Sequence, residues 1–388
     1  MDKSETAQKI DSLPRCKVKT LIFGMTLSVL GVLAAVLATE IGLRLLNPLE
    51  NIPQREFSPY LGWRGRPNLT CVLAEKHFRI RISQNSYGFR DAERSFDRPA
   101  GSRRVLCLGD SFTWGWGVEQ NDIYTRVLEN ALKDRAEPWE VVNAGVGGYS
   151  TDHLLLYLRR QGRRISPNVV IYQVAKNDVT AGNTLHISEG IYQKPFFRLL
   201  EDGCLSLENC PVPPLLFWNR MKYAVSRHSR LAYFLKHRIH AAWLWRRSKY
   251  VAQKVPTNTE ESSGAISYSF RLFAALVSEL QSECDLLEAN MVLLIDFPFS
   301  EEELDYWRDR CAAVNTHFLV PYFERRERET NISARIPNDG HWSKSGHQWV
   351  AEYVASRVIT DVHRQTPTVA GGPGGGAFHL ESDLETTR

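Results

Sequence analysis

From Arg104 onward, short apolar runs of strand length alternate with segments whose apolar residues recur at helical spacing. This alternation is typical of a parallel sheet in which a helix follows each strand. Five runs are predicted to be strands of the sheet: 105–108, 140–143, 169–174, 291–296 and 317–321. Helices are predicted at 123–132, 152–161, 268–289 and 301–313, with a last helix starting near Ser345. The chain is therefore expected to form a three-layer α/β domain around a five-stranded parallel sheet.

Polar segments occur at equivalent places in this pattern. The segment LCLGDSFTWG puts Ser111 directly after the first predicted strand, and NAGVGGYS puts Gly148 after the second. Asn177 follows the third strand in QVAKND, while Asp339 and His341 lie in NDGHWSKSGH, between the fifth strand and the last helix. The carboxyl ends of parallel strands meet at one edge of a sheet. These four segments therefore predict a pocket at that edge.

The residue types in this pocket suit nucleophilic catalysis. A serine hydroxyl can attack an ester carbonyl if an imidazole removes its proton, and a carboxylate can orient that imidazole. A glycine can present an unshielded backbone N–H to the resulting oxyanion. The neighbouring Gly145, Gly147 and Gly148 leave open which N–H faces the pocket. Asp110 and Asp178 are expected to bind loop N–H groups near helix starts.

Taken together, the four blocks and their order resemble those of the SGNH hydrolases, also called the GDSL esterase and lipase superfamily, over about residues 103–357. The resemblance implies a flavodoxin-like domain that acts without a metal or an organic cofactor. By motif, Ser111 corresponds to the nucleophile, His341 to the general base and Asp339 to the acid that orients it. The backbone N–H of Ser111, the N–H of Gly148 and the side chain of Asn177 correspond to the oxyanion donors.

The last block departs from the commonest family pattern, which is Asp-x-x-His. Asn338 occupies the usual acid position, and Asp339 precedes His341 by only two residues. This DGHW form resembles the variant of alginate-type O-acetyltransferases and related surface-glycan enzymes. Gly340 lets the chain turn the Asp339 carboxylate toward the imidazole. The upstream NSYGFRD segment and the apolar N-terminal run also resemble membrane-tethered bacterial members of the group.

Residues 21–39 form an uncharged apolar run. As a helix, its first 18 residues span about 27 Å, close to the thickness of the bilayer hydrocarbon. Five basic residues precede this run and only Arg44 and Arg55 follow soon after it, so residues 1–20 are expected in the cytoplasm and the remainder outside, in the periplasm or at the cell surface. A cleaved signal peptide is the alternative.

The other regions have distinct compositions. Residues 40–100 are expected to form a stalk and an edge hairpin, 101–365 the hydrolase domain, and 366–388 a disordered Gly-rich tail. A basic, aromatic, helical insertion is predicted at 185–265, with ten Lys or Arg and no acidic residue between positions 209 and 259. This insertion can be a cap packed on the domain, a face lying on anionic lipid, or a groove for an acidic glycan.

Charge and cysteine content exclude further classes. A formal charge of +4 and an outside location argue against a nucleic-acid partner, and the seven cysteines form no CxxC pair, so zinc is not indicated. Cys204 and Cys210 can close a small disulfide loop outside the cytoplasm, or remain two free thiols. His347 is expected on the surface of the last helix, and His153 is expected to be a surface or packing residue.

These features predict a membrane-anchored, extracytoplasmic serine esterase or O-acyltransferase that forms an acyl-enzyme. Its expected substrates are O-acetyl groups of a surface or exported polysaccharide, and a membrane partner can supply acetyl groups. The alternatives are a lipase or lysophospholipase acting on lipid esters, and a catalytically silent scaffold in glycan assembly.

Overall fold

The computed structural model describes residues 15–46, 54–135, 137–180, 182–183, 187–188, 192–214 and 266–359, with single positions between 217 and 239. Its strands, in chain order, are β1 (Arg55–Ser58), β2 (Gly62–Gly65), β3 (Thr70–Ala74), β4 (Arg79–Ser83), β5 (Arg103–Leu108), β6 (Trp139–Asn143), β7 (Val169–Val174), β8 (Ile187–Ser188), β9 (Tyr192–Gln193), β10 (Phe196–Leu199), β11 (Leu205–Glu208), β12 (Asn290–Ile295) and β13 (Asn315–Phe318).

Its helices are α1 (Arg15–Leu46), α2 (Ser111–Trp114), α3 (Tyr124–Ala131), α4 (Thr151–Ile165), α5 (Lys176–Val179), α6 (Tyr268–Leu286), α7 (Glu301–Arg310), α8 (Val320–Thr330) and α9 (Lys344–Tyr353). A 3₁₀ turn at Gln120–Asp122 precedes α3, and a π-helical turn at Val354–Val358 follows α9.

Five parallel strands form the central sheet in the order β13-β12-β7-β5-β6. Numbered by their sequence within this sheet, the order is 2-1-3-4-5, which is that of flavodoxin-like folds. The predicted fold class is therefore confirmed. The order reverses between β5 and β7, and this is where the carboxyl edge of such a sheet opens a crevice.

Alternate residues of each strand enter two separate cores. In β5, Leu106 and Leu108 pack into the core that contains residues of α4, α6 and α7, whereas Val105 and Cys107 pack into the core that contains residues of α3, α8 and α9. Strand side chains alternate between the two faces of a sheet. Both faces are covered by helices, which gives the three layers and explains why these strands are continuously apolar.

The boundaries of the last elements differ from the prediction. The fifth strand ends at Phe318 rather than at residue 321, because Pro321 lies in the first turn of α8. Proline lacks an N–H, and the first helical turn has no partner for one. Helix α8 was not anticipated, since VPYFERRERET follows the strand without a loop signal.

Residues 54–91 pack against the domain. Strands β1 and β2 form one antiparallel hairpin and β3 and β4 another, and each hairpin is a separate two-stranded sheet. The hairpin predicted from HFRIRI therefore exists, but it does not extend the edge of the central sheet. Trp63 and Arg90 are each only 1% exposed. Gly65 and Gly88 meet backbone to backbone, and a Cβ atom on Gly65 would lie 1.9 Å from the Gly88 carbonyl oxygen.

The insertion starts with strands rather than helices: β8 pairs with β9, and β10 pairs with β11. Helical positions occur among the described residues between 217 and 239. The predicted disordered tail, 366–388, lies outside the described residues. Cys204 and Cys210 are both free thiols, so the structure has the second of the two alternatives for this pair.

Helix α1 contains the candidate span Lys19–Leu46, in which an 18-residue window has a mean hydropathy of 2.4 and is not buried against the rest of the chain. Its length and composition suit a membrane span, and a signal sequence has the same properties. Near its end, the Glu40 carboxylate accepts hydrogen bonds at 2.9 Å from Ser229 Oγ and from the backbone N–H groups of Arg230 and Leu231. This helix end therefore contacts the basic insertion directly.

Candidate active site

Ser111 follows strand β5 at the carboxyl edge of the sheet and is the first residue of α2. Asp110 caps this helix, because its Oδ1 atom accepts a hydrogen bond of 2.9 Å from the Phe112 N–H. Gly109 makes the turn with a positive φ, and a Cβ atom there would lie 2.4 Å from Thr113 Oγ1. Asp110 has the structural role that its position in the sequence predicted.

Ser111, His341 and Asp339 lie in hydrogen-bonded order. Ser111 Oγ is 2.7 Å from His341 Nε2, and His341 Nδ1 is 2.5 Å from Asp339 Oδ1. When the ring proton is on Nδ1, the Nδ1–H group donates a hydrogen bond to the Asp339 carboxylate. Nε2 is then free to accept the serine proton. The serine and the histidine, 230 positions apart in the sequence, are thus joined by one hydrogen bond.

Asp339 is held from both sides. Its Oδ2 atom accepts a hydrogen bond of 3.1 Å from Trp116 Nε1, while Oδ1 also receives the backbone N–H of His341 at 3.3 Å. Partial burial raises the pKa of the Asp339 carboxyl, but the hydrogen bonds from His341 and Trp116 lower it further, so the net pKa is below its usual value. Asp339 is therefore ionised when a neutral imidazole needs a partner.

The loop that carries His341 is fixed by a buried carboxylate. Asp296, at the end of β12, accepts hydrogen bonds from Trp342 Nε1 at 2.6 Å and from Arg335 Nη2 at 3.0 Å. A second nitrogen of Arg335 donates to the carbonyl of Gly340 at 2.7 Å. Gly340 itself has φ +90°, a conformation that favours glycine. These contacts set the position of the imidazole relative to the sheet.

A cavity of about 430 Å³ opens beside Ser111 and His341. The predicted oxyanion donors Gly148 and Asn177 also line it. Gly145 does not line it. Its N–H donates to Asn143 Oδ1 at 3.0 Å, and a Cβ atom on Gly145 would lie 2.5 Å from the backbone N atom of Trp114 in α2. Of the three glycines that the sequence left open, only the two later ones line this cavity.

The loops that carry Gly148 and Asn177 are joined by a buried ion pair that the sequence did not indicate. Lys194, from the insertion, lies 2.7 Å from Asp152 Oδ2 and donates to Ser150 Oγ at 2.7 Å and to the Gly182 carbonyl at 2.6 Å. Burial raises the pKa of Asp152, but Lys194 and His153 lower it to about 2. Ser150 follows the Gly148 turn, so this lysine links that turn to the segment after Asn177.

Arg90, from the NSYGFRD segment, was also missed as a supporting residue. Its guanidinium donates to the carbonyls of Gly115 and Val118, on either side of the Trp116 loop, and lies 5.0 Å from the ring of Trp114. The arginine therefore supports the loop that carries Trp116, whose indole N–H donates to Asp339. The sequence offered only one signal for this residue, which was its position in the NSYGFRD segment, where no residue was assigned to the site.

Two other histidines are packing residues. His347 lies in α9 as predicted, but it is fully buried rather than on the surface, because its ring stacks on Tyr124 and its Nδ1 accepts the Tyr124 N–H at 3.2 Å. Burial lowers the pKa of His347 to about 3, so it stays neutral. His153 is also fully buried and stacks on Tyr149. Within the described part of the chain, no group of three or more His, Cys, Asp or Glu is placed to hold a metal ion.

The profile of the GDSL-like Lipase/Acylhydrolase family matches residues 107–243. The matched range contains Ser111, Gly148 and Asn177. The DGHW block lies beyond the match. A search of curated proteins by sequence found no significant match.

Several solved esterases are similar in structure. The psychrotrophic esterase EstA from Pseudoalteromonas sp. has 11% identity and a TM-score of 0.36, with 68% of this chain and 100% of that chain covered. The acetyl xylan esterase AlAXEase has 14% identity and a TM-score of 0.35, with coverage of 66% and 100%. A two-domain esterase (CEX) active on acetylated mannans has 14% identity and a TM-score of 0.37, with coverage of 71% and 53%.

Proposed function

We propose that this protein is a serine esterase or O-acyltransferase in which Ser111 is the nucleophile. The observation that carries the proposal is the hydrogen-bonded order of Ser111, His341 and Asp339 at the mouth of a cavity. A serine that only capped a helix would not need an oriented imidazole at 2.7 Å from its hydroxyl.

The reaction follows from where charge develops. His341 Nε2 takes the Ser111 proton as the serine oxygen attacks the ester carbonyl, and Asp339 stabilises the imidazolium that forms. The N–H of Ser111, the N–H of Gly148 and the side-chain amide of Asn177 stabilise the oxyanion, and loss of one such donor costs about 3 kcal/mol of barrier. The protonated imidazole then gives its proton to the alcohol, which departs. The acyl group remains bound to Ser111 as an acyl-enzyme.

The second acceptor decides between hydrolysis and transfer. Water returns a free acid, whereas a sugar hydroxyl takes the acyl group. We propose O-acetyl groups of a surface or exported polysaccharide as the substrate class, because the partly exposed Phe112 and Trp116 give the cavity apolar aromatic walls against which a sugar ring can pack. The DGHW block also resembles that of surface-glycan acetyltransferases.

The proposed location is the outer face of a membrane. Helix α1 would anchor the protein, with its basic N-terminal end in the cytoplasm and the hydrolase domain outside. An enzyme held there encounters exported glycans, and a membrane partner can provide acetyl groups to it. Protease added to intact spheroplasts would digest the domain in this orientation, and full protection would contradict it.

A fluorophosphonate probe tests the nucleophile, because it phosphonylates only an activated serine. Wild-type protein should become labelled, Ser111→Ala should remain unlabelled, and Ser343→Ala, a helix-capping serine, should be labelled like the wild type. A correctly folded wild-type protein that takes up no label would favour the silent-scaffold alternative. A panel of acetylated sugars and longer acyl esters, with and without a glycan acceptor, then separates glycan esterase, transferase and lipase activities.

A further inference from the structure

A second cavity, of about 500 Å³, adjoins the catalytic one. Gly65 and Val146 line both cavities, so the two cavities are adjacent. The second cavity lies between the β1–β2 hairpin, the last turns of α4 and the segment around Phe96. The proposed chemistry at Ser111 does not use it.

Two arginines in this cavity have no acidic partner. Arg160 and Arg164 are one turn apart on α4, and each guanidinium lies over an aromatic ring, 3.6 Å from the centroid of Tyr60 and 4.4 Å from that of Phe96. Neither forms an ion pair within the described residues. Arg159, on the same helix, is by contrast paired with glutamates of α6 at 2.5 and 2.7 Å.

The stacking leaves each guanidinium edge available. A planar guanidinium over a ring keeps its N–H donors at the rim, where they match the two oxygens of a carboxylate. The only other charged residue that lines the cavity is Arg64, which is paired with Glu56, and no Asp or Glu among the described residues lines it. The cavity therefore has a positive charge that the described residues do not neutralise.

Tyr157 adds an aromatic ring to the wall of the cavity. It lines the same cavity, is 8% exposed, and its buried hydroxyl has no hydrogen-bond partner in the described structure. Burial raises its pKa, so the hydroxyl keeps its proton. Because the hydroxyl oxygen is itself inaccessible, Tyr157 contributes its ring rather than a hydrogen-bond donor to the cavity.

We propose that this second cavity binds a carboxylate-bearing sugar of the glycan whose neighbouring ester lies at Ser111. The inference rests on the proposed function and adds to it that the substrate is an anionic glycan. Aromatic rings for the sugar faces and two guanidinium groups without an acidic partner fit such a chain. A neutral glycan would leave both arginines unpaired.

Binding without turnover tests the cavity independently of catalysis. The full chain carrying Ser111→Ala, in detergent, is titrated calorimetrically with hexagalacturonate and with xylohexaose. Hexagalacturonate should bind at least tenfold more tightly and lose affinity as NaCl is raised. Arg160→Gln with Arg164→Gln should weaken its binding at least tenfold.

Arg163→Gln is the matched control, since this exposed arginine lies on the same helix outside the cavity. The affinity of this variant for hexagalacturonate should equal that of the Ser111→Ala parent. In the active enzyme, the double variant should raise KM for O-acetylated oligogalacturonate and leave hydrolysis of p-nitrophenyl acetate unchanged. Equal binding of the two hexasaccharides would overturn the inference. Arginine-dependent binding to phosphatidylglycerol vesicles without oligosaccharide binding would also overturn it. Oligosaccharide binding without p-nitrophenyl acetate hydrolysis would contradict only the esterase proposal.

Discussion

The Asp339 carboxylate receives hydrogen bonds from the ring and the backbone of His341 and from the Trp116 indole. Asn338, at the position where the family usually has its acid, has φ +60°, and Asp339 contacts the imidazole instead. The chain turns at Asn338 and again at Gly340, where φ is also positive. The spacing of two residues is thus compatible with a carboxylate beside the imidazole.

Substitution of this acid tests its role. Asp339→Asn should lower kcat for p-nitrophenyl acetate by about 10³- to 10⁴-fold with little change in KM, because an amide in place of the carboxylate favours the wrong tautomer of His341. Asn338→Gly, which keeps the positive φ accessible, should stay within about threefold of wild type. If Asp339→Asn retained full kcat, another group would have to orient the imidazole.

Arg335 and Lys194 show the limit of prediction at single positions. Each acts through residues far away in the sequence: Arg335 through Asp296, and Lys194 through Asp152. Ser111 and His341, by contrast, stand in short segments whose position after a strand or before a helix is itself a signal. A buried ion pair between distant residues carries no such local pattern.

At the scale of elements, two carboxylates at the ends of β5 and β7 share a buried region under the site. Asp110 caps α2, and Asp178 caps the start of α5 by accepting the Ala175 N–H at 2.9 Å. Burial, with added repulsion from nearby carboxylates, raises the pKa of Asp110 to about 7 and that of Asp178 to about 8. In the folded protein these two carboxyl groups therefore remain protonated well above pH 4, where the same groups of the unfolded chain lose their protons.

This arrangement makes stability depend on pH with a definite sign. Between about pH 4 and pH 8, the folded protein holds a proton on Asp178 that the unfolded chain has lost, so the contribution of this site to stability falls as pH rises. Asp178→Asn cannot ionise. Its free energy of unfolding relative to wild type should therefore rise by about 5 kcal/mol from pH 4 to pH 8 in urea unfolding experiments.

The exposed Asp97→Asn is the control for this experiment. Its difference from wild type should not follow the same rise. A difference for Asp178→Asn that stayed constant across the pH range would show that this carboxyl ionises alike in the folded and unfolded chains.

The elements themselves were more predictable than their ends. The strands of the central sheet were found because each is a buried apolar run between turn residues, and burial on both faces produces that run. Helix α8 and the β8–β11 hairpins were missed, because they follow their neighbours without a break or lie in a segment dominated by basic and aromatic residues. Their structure depends on packing against the domain rather than on local periodicity.

At the scale of the whole molecule, helix α1 and the basic insertion meet at Glu40. Three donors from positions 229–231 converge on this carboxylate. Arg44, one turn further along α1, pairs with Glu40 and donates to the carbonyl of His228. The insertion is therefore attached where the apolar helix ends, next to the proposed membrane surface.

Glu40→Ala should free the insertion from α1, since three donors lose their acceptor at once. In detergent, trypsin should then cut the basic segment at least severalfold faster than in wild type, as followed by mass spectrometry, while p-nitrophenyl acetate hydrolysis stays the same. Thr39→Ala is the neighbouring control, because the Thr39 hydroxyl bonds only within its own helix, to Ala35. Unchanged cleavage in Glu40→Ala would contradict this attachment.

The segment before the sheet has a consequence for how far the protein can be shortened. Gln54, Arg55, Gly65 and Gln84 all line the cavity beside Ser111, although none belongs to the five-stranded unit. A version trimmed to begin at β5 would retain the serine, the imidazole and their carboxylate, yet one side of the cleft would open to solvent. Such a truncated protein would also lose Arg90, which supports the Trp116 loop beside Asp339, so we expect both weaker hydrolysis of small activated esters and poorer discrimination among larger ones.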